Sequence, residues 1–240
     1  MNEWVSEIGP YAVRRSEVSG GGSLISHPSA CLHTTEGSTL DGAVRTIHLT
    51  GFAPHFTIGD NQIVQMRSLG LAGSALRAHN DHFIQVEAVG FSKLEVHQLT
   101  PATWLPLVAL TRWMRDTLGI PMVRPPSWPD KLGSFPASDN ERRRDGFSLL
   151  DRGVYGHVDV PDQSPTWHWD PGSLDYSALF LDVGGDDDMM FEKWREGYDA
   201  FFRKLVETGV DPGPPKDEWP EWHKKGWVDA RRAANNPKGA

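Results

Sequence analysis

From His157 to Gly172 the chain reads HVDVPDQSPTWHWDPG, placing two imidazoles, three carboxylates and three prolines within sixteen residues. Such a density of titratable groups, stiffened by prolines, suits a site that must hold donor atoms in fixed directions. A hydrolytic zinc site needs three protein donors and one open position for water, drawn from His, carboxylate and Cys. Cys31 is the only cysteine, so no internal disulfide can form and a metal site has to be built mainly from His and carboxylate. His33, where an apolar run meets the polar HTTEG, and His157, after a glycine at the end of another apolar run, are two candidates. Asp170, held by Pro171 and Gly172 in a turn, is the third. The thirteen-residue step from His157 to Asp170 lets a loop leave a strand and bring its far end back to the same point. A lone histidine at such a place is more often structural, but two histidines with Asp-Pro-Gly point to bound zinc.

Other chemistry-bearing residues have blander readings. Glu87 is an anomaly, a carboxylate inside the apolar run HFIQVEAVGF, and it could be a buried acid paired with Arg77 or His82. Cys31, two residues before His33, shares its strand face and could be an alternative ligand, although a small core thiol is the commoner outcome. HNDH at His79 to His82 reads as a polar loop, because neighbours on an extended chain point to opposite sides. Asp186 to Asp188 lack the ligand spacing of a calcium loop and suit a helix amino terminus.

The elements that must position these residues follow from pattern. LISHPSACLHTTEG reads as a short buried strand that ends in a polar loop opening at His33, HFIQVEAVGF as a buried strand, and PHFTIGDNQIVQM as a hairpin turning at Asp60-Asn61. DGAVRTIHLTG is expected to pass from helix to strand, and the stretch through Ser19 to Ser23 to be an opening loop. Apolar spacing at Leu107, Leu110, Met114 and Leu118 predicts a helix from Pro101, capped by Thr100 or Thr103 and stopped at Gly119-Ile120-Pro121. Arg124 to Asp151 is expected to be a long surface loop. GVYGHVDV is expected to be a short strand leading into the proline-rich segment, and Tyr176 to Leu181 a short helix. The expected architecture is mixed α/β, a central sheet flanked by helices, over residues 1–184. Beyond it, 185–240 is expected to hold an amphipathic helix and a Trp- and Pro-rich carboxy-terminal extension.

Composition narrows the function classes. A net charge of -8 argues against a grip on nucleic acid through phosphates. No run approaches the roughly 18 consecutive apolar residues of a membrane span, and MNEWVSEIGP lacks a secretory-signal pattern.

In order and spacing, CLHTTEG, HFIQVEAVG and GHVDVPDQSPTWHWDPG resemble the zinc N-acetylmuramoyl-L-alanine amidases that include phage endolysins, wall-recycling amidases and peptidoglycan recognition proteins. The resemblance covers about Leu24 to Leu181, and includes the hairpin and the helix ending in Gly-Ile-Pro. It implies a mixed sheet with zinc in a surface groove, held by His33, His157 and Asp170. The family's strand carboxylate falls on Glu87. Its residue two before the third ligand, often lysine, falls on His168, and Leu76-Arg77 stands where many relatives carry Trp-His. Polarisation of the scissile carbonyl by zinc, proton transfer by Glu87 and oxyanion stabilisation by His168 would cut the bond between N-acetylmuramic acid and L-alanine. An oxyanion donor of this kind is worth about 3 kcal/mol elsewhere. The expected protein is a monomeric phage endolysin, made without a signal peptide and acting on peptidoglycan after release through a holin-type pore, with no nucleic-acid partner and no membrane insertion. A non-cutting muropeptide-binding module and a wall-recycling or effector amidase remain alternatives.

Overall fold

A computed structural model describes residues 4–19, 21–92, 99–124, 152–160, 170–172 and 174–184. The chain divides into two units, Met1–Gly184 and Gly185–Ala240, and the described residues all belong to the first. The Arg124–Asp151 loop apart from Arg124 itself, His168, the aspartate triplet and the carboxy-terminal helix lie outside the described residues.

Seven strands form one mixed sheet: β1 (Glu7–Ile8), β2 (Tyr11–Arg15), β3 (Ser29–Thr34), β4 (Phe56–Gly59), β5 (Gln62–Gln65), β6 (Phe83–Ala88) and β7 (Val154–Gly156). Their spatial order is β1-β2-β5-β4-β6-β3-β7. The β4–β6–β3–β7 portion is parallel throughout. Parallel strands covered on both faces have no solvent side, which is why SACLHT and FTIG are buried at every position and FIQVEA at all but one.

Among the described residues three helices flank the sheet: α1 (Leu40–Thr50), α2 (Pro101–Leu118) and α3 (Tyr176–Gly184). The hairpin turns where expected, with Asp60 and Asn61 both at positive φ, the conformation of a two-residue type I′ connection. In α2 the break is Gly119 in the left-handed region, and Thr100 is the amino-terminal cap residue. Pro106 inside α2 has no N–H for the carbonyl of Ala102. That carbonyl instead accepts from the Asn61 N–H at 2.8 Å, tying the helix to the hairpin turn.

In the first fifty or so residues two expectations are corrected. DGAVRTIHLTG does not pass into a strand. It is helical through Thr50, because Thr39 Oγ1 accepts from Gly42 N, Asp60 accepts from Leu40 N at 2.8 Å, and Gly51 closes the other end in the left-handed conformation. Leu40 and Ile47 then pack on Val64, Met66 and Val89. The opening stretch is not all loop, since it supplies β1 and β2. Val13 to Arg15 pair in parallel with Ile63 to Gln65, a long-range pairing that local propensity in YAVRR does not announce.

Side chains alternate across each strand, and register partners share a face. Phe56 lies on the α2 side, where its ring meets Trp113 edge-on at 5.9 Å. Thr57, Glu87 and His33 are register partners and face the other side, which α1 partly covers. The pairing places one carboxylate and one imidazole side by side near the carboxyl ends of parallel strands, the usual location of sites in such sheets.

Candidate metal centre

His33 reaches the site as the fifth residue of β3, with its ring buried. The strand expected over GVYGHVDV stops at Gly156: His157 follows β7 directly and opens a single 3-10 turn, His157–Asp159, because Asp159 Oδ2 accepts from Gly156 N and folds the chain back. Asp170 arrives from a separate turn, and its carbonyl accepts from Val158 N at 2.9 Å, so both turns are fastened together. The three residues lie far apart in sequence and converge. His33 Nδ1 and His157 Nδ1 are 3.0 Å apart. Asp170 Oδ2 lies 3.2 Å from His33 Nδ1, and its Oδ1 lies 3.3 Å from His157 Nδ1. Among the described residues these three form the one group of His, Cys, Asp or Glu with the compactness to hold a metal ion.

The donor set fits a small divalent cation. A tetrahedral ion with N and O ligands at about 2.0–2.1 Å separates those ligands by about 3.3 Å, close to the spacing seen here. Burial by itself raises the Asp170 carboxyl, but the charge and hydrogen bonds of His157 and His33 outweigh it and hold the group well below the ordinary carboxylate range. An acid that stays ionised next to two imidazoles is a ready third ligand.

Glu87 stands beside this set, its Oε1 3.9 Å from His33 Nδ1. Burial raises the Glu87 carboxyl well above its usual range, and the Asp170 and Glu36 carboxylates push it further the same way. Its Oε2 makes no hydrogen bond among the described residues. Glu36, at φ 49°, is fixed by accepting from Thr34 Oγ1 and Ser92 N, both at 2.9 Å. Of the two partners considered for Glu87, His82 instead bonds Asp81 at 2.9 Å, while Arg77 lines the same cleft.

That cleft has a volume of about 570 Å³ and is walled by His33, Glu87, His157, Asp170, Leu76 and Arg77 among others. An adjoining hollow of about 490 Å³ continues it along α1, sharing Thr34, Glu36, Phe52 and Glu87. The two hollows meet at these shared residues, with the donor set in one wall of the first.

Cys31 is fully buried among Leu76, Phe83, Tyr155 and Val160 and belongs to the core, not the donor set. HNDH forms a short 3-10 turn at Asn80–His82. His168 lies outside the described residues. Sequence reading passed over three residues that the structure places close behind the site: His55, Arg124 and Asp159. His55 carries no local signal. Its Nε2 donates to Leu71 O at 2.8 Å and its Nδ1 accepts from Gln85 N at 3.0 Å, tying to β6 the segment that leads into the Ser74–Arg77 wall of the cleft. Asp159 had a signal in its place two residues after His157.

A family profile described as N-acetylmuramoyl-L-alanine amidase matches residues 27–173. No curated protein matches the chain. Among solved structures, the chain is similar to the amidase LysC from Clostridium intestinale, at 16% identity and a TM-score of 0.46, with 72% of this chain and 98% of that one covered. It is similar to the endolysin amidase LysCS from the same organism at 15% identity and a TM-score of 0.48, covering 76% and 100% of the two chains. An endolysin from a Thermus scotoductus bacteriophage aligns at 16% identity and a TM-score of 0.44, covering 72% and 100%.

Proposed function

The chain belongs to the N-acetylmuramoyl-L-alanine amidase family, and we propose that it cleaves peptidoglycan at a zinc centre formed by His33, His157 and Asp170. The observation that carries the metal assignment is the convergence of their three donor atoms at 3.0–3.3 Å. When bound there, zinc supplies Lewis acidity, which polarises a carbonyl and acidifies water.

The remaining steps belong to the chain's own side chains. Glu87, its carboxyl raised by burial and facing the cleft, takes a proton from the attacking water at a carboxylate oxygen. It then returns that proton to the amine of L-alanine as the bond to the lactyl group of N-acetylmuramic acid breaks. His168 is assigned to the developing oxyanion by its place two residues before Asp170 in the family pattern. An imidazole in a role often held by lysine makes turnover more sensitive to pH in the neutral range. The groove that continues along α1 holds the wall fragment in line with these groups.

The delivery proposed is that of a monomeric phage endolysin released through a holin-type pore to reach the wall. It needs neither nucleic acid nor insertion into a membrane, and among the described residues no helix is long and apolar enough to cross one. Residues 185–240, with Trp194, Trp219, Trp222 and Trp227, are proposed as an accessory or wall-binding segment.

The test is release of muropeptides from purified sacculi by wild type, by chelated wild type and by Glu87→Gln. The expected result is new L-alanine amino termini that vanish on chelation and return with zinc, with the rate reduced about 10²- to 10⁴-fold in Glu87→Gln at unchanged zinc content. Metal-independent retention on sacculi without new termini would instead identify a muropeptide-binding module.

A further inference from the structure

A buried ion pair stands behind the metal centre, and no catalytic step uses it. Arg124 and Asp159 have side chains 2% and 0% exposed. Arg124 spreads its guanidinium between two acceptors: one nitrogen donates to Val154 O in β7 at 2.8 Å and the other to Asp159 Oδ2. The same Oδ2 accepts from Gly156 N at 2.9 Å. The guanidinium also lies over the Tyr176 ring, 3.9 Å from its centroid, at the start of α3.

A charged pair in this position is not explained by stability, because well-packed apolar residues of similar volume usually do as well or better. What it does locally is specific. The 3-10 turn that carries His157 is three residues long and is closed internally by one bond, from Val160 N to His157 O at 3.2 Å. Asp159 closes it back onto Gly156, and Arg124 locks Asp159 against β7. Val158, the middle residue of that turn, donates its N–H to Asp170 O. Whatever holds the turn therefore also sets where Asp170 sits. Asp159, Pro171 and Tyr176 all approach Gly156 so closely that even a Cβ there would clash.

We propose that Arg124 and Asp159 are positioning residues that hold the His157 and Asp170 donor atoms at metal-binding separation. The inference rests on the zinc reading above. The planar fork is the part that matters: a lysine keeps the charge but cannot bond Val154 O and Asp159 in one fixed geometry.

The test measures zinc affinity by competition with a chromophoric chelator, and the visible absorption of the cobalt-substituted protein, on the full chain. Arg124→Met with Asp159→Asn removes both charges and keeps an acceptor for Gly156 N–H, and Arg124→Lys keeps the charge alone. Expected are about 10- to 100-fold weaker zinc binding in the double variant and a smaller loss in Arg124→Lys. Both should show an altered cobalt spectrum, while the chelated proteins keep wild-type circular dichroism and a single unfolding transition. If the double variant does not fold, Arg124→Lys decides. Wild-type affinity and cobalt spectrum in Arg124→Lys overturn the positioning role, as does an affinity loss fully accounted for by unfolding of the chelated variant. Failure of the wild type itself to take up zinc removes the zinc reading and this inference together. Zinc affinities that are equal in wild type and both variants remove this inference alone.

Discussion

Glu87 and His33 meet because strands β3 and β6 pair in register, and the alternation of side chains that puts them on one face also governs His55. This histidine is fully buried and committed on both ring nitrogens, donating to Leu71 O and accepting from Gln85 N. A second proton would set an imidazolium N–H against the Gln85 N–H. Burial accordingly lowers its pKa from 6.5 to about 4, with the Arg67 charge acting in the same direction against the opposing bond to Leu71. The unfolded chain therefore binds a proton that the folded one refuses, so this contribution is complete above about pH 6.5, falls as pH falls, and levels off below about pH 4. The shift corresponds to about 3 kcal/mol. Urea unfolding of chelated protein between pH 7 and pH 4 should show that decline, and His55→Asn should be less stable at pH 7 with a flatter profile. Equal slopes for both proteins would mean that the loss on acidification comes from other groups.

At the scale of elements, the site depends on the junction between β7, the His157 turn and the Asp170 turn. Gly156 is the point of closest approach. A Cβ there would stand 2.7 Å from Pro171 Cδ and 2.8 Å from the Tyr176 hydroxyl. Gly156→Ala should cost about 1–3 kcal/mol of stability through overpacking. It should also weaken zinc binding, because relief of the clash moves the Asp170 turn relative to His157. Thermal unfolding with and without chelator separates the two effects: a larger loss of melting temperature in the zinc-loaded protein than in the chelated one is the expected sign. The α3 end of this junction is fastened independently, with Arg112 and Arg115 donating to the carbonyls of Asp182 and Val183 and Asp182 accepting from the Trp104 indole. Those cations sit where a helix leaves its last carbonyls unsatisfied.

At the scale of the whole molecule, the family match ends at residue 173 and α3 at Gly184, and Gly185–Ala240 is the second compact unit of the chain. A protein truncated after Gly184 should hydrolyse soluble muropeptides at close to the full-length rate and sediment less with purified sacculi. Equal sedimentation of the two would show that wall affinity resides in the catalytic groove itself. Much of this organisation was legible in the linear chain wherever a local pattern decides structure. The Asp60-Asn61 turn needs two positive φ angles, α2 ends at a glycine, and the strands SACLHT and FIQVEA are apolar because both their faces are covered. The convergence of His33, His157 and Asp170 could be anticipated from residue type and the Asp-Pro-Gly turn together with the family resemblance, since ligand chemistry limits which side chains serve. Sequence did not reveal that YAVRR is a strand, because its pairing with β5 is supplied by a partner some fifty residues away. Nor did it single out His55, Arg124 or Asp159, whose importance lies in hydrogen bonds to distant backbone groups. Local sequence settles which conformations a segment prefers and which atoms can bind or transfer a proton. Only the packed fold decides which buried polar groups face one another, because burial and long-range partners exist only once the sheet has assembled.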